Sequence, residues 1–241
     1  MRAATPPFTP RVREPGSPAV IAIDGPAASG KSSTAHWVAE RLGFRHIDSG
    51  ALYRAATAAA LRQEPAGGWA EGVVLEAATT VRLLPNRTSF VAAIGDEPID
   101  AEIRDAGVTQ HVSHVAMMPR VREWVNDVVR RTARGFDVVV DGRDIGTVVF
   151  PEADLKVFLV ADPWERARRR LTQRLERAPT DDEVAEETER LVQRDARDAT
   201  QTVQASDAVL IDTTYLTQEE QVERIVTLAK VVLKRGKPGN E

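Results

Sequence analysis

The sequence predicts an α/β protein: a five-stranded parallel sheet with helices on both faces. Three observations carry this expectation. Five short β-rich runs, Val20–Ile23, Phe44–Ile47, Val138–Val140, Leu155–Val160 and Ala208–Ile211, are spread along the 241 residues. All but the second are almost continuously apolar rather than alternating, as expected of strands covered on both faces. Segments of helical periodicity fall between them, and strands alternating with helices give a doubly wound arrangement.

Each element has its own signal. The first strand is followed by Lys31–Leu42, which carries Ala35, Val38, Ala39 and Leu42 on one face and stops at Gly43. After the second strand, the alanine-rich Leu52–Leu61 reads as a helix that ends before Pro65. Thr80–Ile99 breaks the alternation and reads as two or three short strands joined by Pro-Asn and Gly-Asp turns. Gly107–Arg134 is then helical, interrupted by Pro119. Residues 67–120 are therefore expected to form a small antiparallel β insert, with the core made of residues 18–66 and 121–241. Pro163–Arg177 starts with Pro after Asp162, a good helix start. Thr217 to Lys234 opens with a capping box, Thr217 and Glu220, and repeats Val222, Ile225, Val226, Ala229, Val232 and Leu233 at helical spacing. Residues 1–17, rich in Pro and Arg, read as a flexible tail.

Composition narrows the function classes. Hydrophobic content is 42% and charged content 28%, ordinary for a globular protein. A net charge of −4 supplies no global field for a nucleic acid polymer or an anionic membrane. The absence of cysteine excludes disulfides, thiolate metal sites and cysteine nucleophiles, and it fits a reducing cytoplasm. No apolar stretch approaches the roughly 18 residues of a membrane helix, and the N-terminus has no secretory h-region.

The chemistry is concentrated in GPAASGKS, which follows the first strand and opens the first helix. It fits G-x-x-x-x-G-K-[ST], the P-loop, in its proper strand–loop–helix context. Gly25, Pro26, Ala27, Ala28, Ser29, Gly30, Lys31, Ser32 and the adjoining Ser33 are the candidate residues for binding a nucleoside triphosphate. Small side chains let the N–H groups of Ala28 to Ser32 wrap a β-phosphate, and the helix N-terminus adds its positive end. Lys31 would reach the β- and γ-phosphates, and the Ser32 hydroxyl would bind Mg²⁺. A GTPase would be expected to carry N-K-x-D, which is missing, and a motor ATPase an acidic pair ending a strand. Here the third strand ends in the single Asp141, placed either to hold Mg²⁺ through water or to cap a loop.

Arginines mark a second anion site. Arg54 sits one turn into a helix opened by Ser49 and Gly50; Arg120 and Arg122 lie in PRVREW; Arg143 precedes Asp144 in DGRDIGTVVFP. Arg166, Arg168, Arg169, Arg170, Arg174 and Arg177 share one helix, and Arg194 and Arg197 follow in QRDARDA. Phosphoryl transfer between two phosphates needs such a clamp, and an attacking phosphate oxygen, already anionic, needs no general base. His36, His46, His111 and His114 have no metal-type pairing and read as structural or surface residues.

Taken together, IDGPAASGKSS, DSGALYR, PRVRE, DGRDIGTVVFP, the Arg-rich helix, RDARD and SDAVLIDT resemble bacterial cytidylate kinases, over about residues 20–235. The resemblance implies a P-loop NTPase core, a monophosphate-binding insert and a helical lid at about 163–200. It implies ATP and Mg²⁺ as cofactors, CMP or dCMP as acceptor, and a cytoplasmic monomer. By the same resemblance, Ser49, Arg54 and Arg143 bind the CMP phosphate end, Tyr53 belongs to the substrate-binding set, and Ser113, Arg122 and Asp144 read cytosine. Arg194 and Asp198 hold sugar hydroxyls and phosphate, Arg166 and Arg170 clamp ATP, and Lys31, Arg143, Arg194 and Arg166 are the catalytic cations. The chemistry agrees: the cytosine N4 amine is a donor that Asp144 can accept, and Arg122 can donate to O2 and N3. One departure stands out. Many members read R-D-x-x-D-[ST]-x-R after the lid, and here Gln201 replaces the last arginine, with Arg197 as the residue that could reach in instead.

Overall fold

The computed structural model describes residues 17–235, and side chains as far as Lys234. Apart from Ser17, the tail expected at residues 1–17 lies outside the described residues. The chain runs β1 (Val20–Asp24), α1 (Lys31–Leu42), β2 (Arg45–Asp48), α2 (Ser49–Gln63), α3 (Glu71–Ala78), β3 (Val81–Pro85), β4 (Phe90–Ile94) and β5 (Glu97–Pro98). It continues with α4 (Ala106–Val115), α5 (Pro119–Ala133), β6 (Val138–Gly142), β7 (Leu155–Val160), α6 (Pro163–Leu175), α7 (Asp181–Asp198), β8 (Val209–Asp212) and α8 (Gln218–Arg235).

The main sheet has the order β2-β6-β1-β7-β8, every neighbour parallel. The five expected strands are all present, each within two residues of the bounds read from the sequence. Central strands are buried on both faces, which is why they lack alternation. On one face Ala22, Ile47, Val138 and Val140 pack with α2 and α5 side chains such as Leu52, Val125 and Val129. On the other, Ile21, Ile23, Val139, Leu155 and Val157 pack with Ala35 and Val38 of α1 and Ile225 and Val226 of α8.

β3, β4 and β5 form a separate antiparallel sheet. A lone bridge between His46 and Ser89 ties it to the edge of β2. Val81, Ala92, Ile99 and Val108 belong to the same apolar cluster as Ile47 and Val138, so residues 67–120 pack on the α2 face of the main sheet. The Pro119 interruption is real: α4 stops at Val115 and Pro119 starts α5, where its missing N–H costs nothing.

Local chemistry fixes the helix ends. Gly43, at φ 71°, closes α1 by donating to the Ala39 and Glu40 carbonyls. Asp162 Oδ1 accepts from the N–H groups of Trp164 and Glu165. The box before α8 forms as read: Thr217 Oγ1 accepts from Glu220 N at 3.2 Å, and Glu220 Oε2 accepts from Thr217 N at 2.8 Å. The arginine-rich helix ends two residues earlier than expected, at Leu175, with Glu176 left-handed at φ 54°. α7 then starts from a second capping box, Thr180 and Glu183.

Candidate active site

The carboxyl ends of β1, β2 and β6 open toward one cavity of about 350 Å³. Strand order reverses around β1, and ligands of open α/β sheets bind at such a switch point. A second cavity, of about 500 Å³, shares Ala28, Lys31, Ser32, Arg170 and Gln173 with the first.

The loop between β1 and α1 is held by close backbone approach. A Cβ on Gly25 would lie 2.3 Å from the Leu159 carbonyl oxygen, so only glycine fits there. Lys31 Nζ donates to Pro26 O at 3.0 Å, folding the lysine back across the loop. Burial pushes the Lys31 ammonium down to about 8, the neighbouring Arg143 and Arg194 add to the effect, and Asp141 and Asp48 oppose it. A cation depressed in this way favours an added anion beside it. Ser29 Oγ is fully buried and has no hydrogen-bond partner. Ser32 Oγ donates to Asp48 Oδ2 at 3.2 Å, while Asp48 Oδ1 caps α2 through Ala51 N. Asp141 is buried and its Oδ1 lies 2.7 Å from His46 Nε2. Burial raises the Asp141 carboxyl and Asp48 raises it further, against the pull of His46.

The first cavity gathers the residues expected on the acceptor side. Ser49 Oγ donates to the Asp141 carbonyl at 2.7 Å. Arg54 Nη1 donates to Ile103 O at 3.0 Å and Thr109 Oγ1 at 3.2 Å. Tyr53 and Ser113 both line the cavity. Arg143 bridges Gly25 O, at 3.2 Å, and Asp198 Oδ2, at 2.8 Å. Arg194 Nε lies 3.6 Å from the same Asp198 oxygen. Burial lowers the Arg143 guanidinium, with Asp198 opposing and Arg194 reinforcing. Arg122 Nη2 donates to Asp144 Oδ2, and its Nη1 donates to Ala116 O at 3.2 Å and to Gln201 Oε1 at 2.8 Å. Asp144 sits in a loop fixed by buried Asp24, whose oxygens each accept a backbone N–H at 2.8 Å, from Ile145 and Gly146.

Two expectations need correction. Arg166, read as an ATP clamp and catalytic cation, lines neither cavity and is 3% exposed. Its guanidinium is occupied by Ala27 O at 2.8 Å, Ala161 O at 3.1 Å and Asp195 Oδ2 at 2.6 Å, so it braces the loop from beneath. Arg197 does not reach in; its Nε donates to Gln193 O on an exposed part of α7. Gln201 lines the first cavity, and its Oε1 accepts from Arg122 Nη1. Arg170 does line both cavities, with Nε 3.1 Å from buried Glu187. Ser33 lines the second cavity, and Gly25 and Pro26 contribute the carbonyls that hold Arg143 and Lys31.

Sequence reasoning missed Asp48, although it stands between His46 and Ser49 in the quoted stretch HIDSGALYR. It also missed Thr217, Gln218 and Gln221, which line the second cavity from the start of α8. Only the capping box pointed to that end of the helix.

The sequence pattern of the family described as Cytidylate kinase matches residues 21–231. The chain is 40% identical over 228 residues to the cytidylate kinase of Limosilactobacillus fermentum, covering 89% of this chain and 97% of that one. It is 41% identical over 220 residues to the cytidylate kinase of Mycobacterium leprae, covering 88% and 95%. It is 42% identical over 226 residues to the cytidylate kinase of an Exiguobacterium species, covering 88% and 96%.

Proposed function

The chain belongs to the cytidylate kinase family, and on that basis we propose how its two adjoining cavities carry the reaction. The protein transfers the γ-phosphoryl group of ATP to CMP or dCMP, giving ADP and CDP or dCDP. ATP takes the second cavity, with its phosphates over Gly25–Ser33, and the monophosphate takes the first. The observation that carries this assignment is the junction: Lys31, Ser32 and Arg170 line both cavities, so two phosphate chains meet at one set of cations.

The residues divide the work. Lys31, Arg143 and Arg194 stabilise charge on the phosphoryl oxygens during transfer. Ser49 and Arg54 hold the acceptor phosphate, Tyr53 lines the same cavity, Asp198 moves from its arginines toward the sugar hydroxyls, and Ser113, Arg122 and Asp144 read the base. Arg166 keeps the ATP loop in shape. The attacking oxygen is an anion at neutral pH, so no side chain has to remove a proton. The segments 67–120 and 163–200 close over the bound pair and keep water from the γ-phosphate.

Ser32 would hold Mg²⁺ directly and Asp141 through water. These are hard oxygen donors, and Ser32 Oγ already engages the Asp48 carboxylate at 3.2 Å, so the set suits a small hard cation. Mg²⁺ there would neutralise charge on the triphosphate.

The test is ADP release from Mg·ATP with CMP, dCMP, UMP, AMP or GMP as acceptor. Fast release with CMP and dCMP alone supports the clamp and the base-reading pair. Equal release with UMP removes the reading of Arg122 and Asp144, and release with none removes the acceptor assignment.

A further inference from the structure

Gln201 lies just beyond α7, where its N–H and that of Thr202 both donate to the Asp198 carbonyl at 2.9 Å. Its side chain lines the first cavity and its amide oxygen accepts from Arg122 Nη1 at 2.8 Å. The same Nη1 donates to Ala116 O at 3.2 Å, while Nη2 turns to Asp144. A guanidinium Nη carries two hydrogens, so both of those on Nη1 are used. The plane of the guanidinium is thus set by the α4–α5 turn, the loop after β6 and the end of α7.

We propose that Gln201 is a positioning residue for cytosine recognition, orienting Arg122 through its amide oxygen and tying the end of the lid helices to the base pocket. The inference rests on the reading of Arg122 and Asp144 as the base-reading pair. An arginine at 201 has no acceptor to offer and would set a second cation against Arg122. A carboxylate would add a second anion to a guanidinium already paired with Asp144, and would compete with the base for it. A neutral acceptor fixes the orientation and leaves the charge of Arg122 to Asp144 and the substrate. Because residue 201 follows Arg194 and Asp198 on the same segment, a lid that closes on phosphate carries the acceptor with it.

The experiment compares wild type, Gln201→Met, Arg122→Met and the double variant, each checked for folding by thermal melting, with CMP and UMP as acceptors. Methionine keeps the length and removes the acceptor. The expected result for Gln201→Met is a rise in KM for CMP of about tenfold, larger than any fall in kcat, and a fall in the CMP/UMP ratio of kcat/KM of similar size. In the Arg122→Met background the same change should have no further effect on that ratio, because Gln201 acts through Arg122. A CMP/UMP ratio unchanged in Gln201→Met while Arg122→Met abolishes it would overturn this inference and leave the base-reading pair intact. A ratio unchanged in Arg122→Met would overturn the base-reading pair and this inference with it. Multiplying effects in the double variant would show that Gln201 acts on the substrate independently of Arg122, and would overturn it as well.

Discussion

Asp144→Asn is the sharpest perturbation of the acceptor pocket. It preserves shape, replacing one carboxylate oxygen by an amide NH₂. In the wild type Asp144 Oδ2 accepts from Arg122 Nη2, and the side chain is 13% exposed, so water does little to weaken what it contacts. The cytosine N4 amine needs an acceptor. An asparagine must either turn its oxygen to cytosine and its NH₂ to Arg122, or the reverse, and each choice sets two donors face to face. Losing a hydrogen bond to a charged group costs about 1.5–3 kcal/mol, which is roughly a 10- to 150-fold loss in kcat/KM for CMP. Uracil presents a carbonyl at the same place, which the new NH₂ can satisfy, so UMP should lose nothing and the CMP/UMP ratio should fall by at least about tenfold. Coupled measurement of ADP release with both acceptors, on protein whose melting temperature confirms the fold, reads this directly. A folded Asp144→Asn protein that keeps a wild-type CMP/UMP ratio would refute the assignment, since no other described carboxylate partners Arg122.

Lys31, at about 8 without nucleotide, should regain its proton beside the phosphates, so binding takes up a proton above that pH. Only about one free molecule in eleven keeps the ammonium at pH 9, so ATP should bind about tenfold more weakly there than at pH 7. Calorimetry in buffers of different ionisation enthalpy counts the proton; constant affinity with no uptake contradicts the argument. Arg166→Met leaves Asp195, whose side chain is 25% exposed, and the Ala27 and Ala161 carbonyls without their donor; losing a hydrogen bond to a charged group costs about 1.5–3 kcal/mol, so a drop in melting temperature should accompany any loss of rate. Full thermal stability with a lost kcat would return Arg166 to the reacting phosphates. Gly25→Ala forces a Cβ to within 2.3 Å of the Leu159 carbonyl, so the loop must move and fluorescent ATP analogues should bind at least about tenfold more weakly. Unchanged affinity would mean the loop geometry does not govern the triphosphate site.

What was legible in the sequence was whatever depended on local spacing. GPAASGKS had to be a strand–turn–helix, and the apolar strands had to be central, because those patterns act within a few residues. Arg166 shows where this stops. It lies four residues before Arg170 and shares its helix face, yet one side chain meets the loop carbonyls and Asp195 while the other reaches open cavity. Helical periodicity assigns a face, and only packing assigns what that face touches. α7 was obscured for a related reason: its buried row is Val184, Glu187 and Leu191, with a carboxylate in place of an apolar residue. Glu187 is held there by Arg170 and Arg174 of the preceding helix, a partnership between segments that no window of sequence displays. Gln201 belongs to the same class. A missing arginine reads as a lost phosphate contact as long as the residue is considered alone. Beside Arg122 it becomes an acceptor that an arginine could not supply, and the substitution acquires a physical reason that lies 79 positions away in the chain.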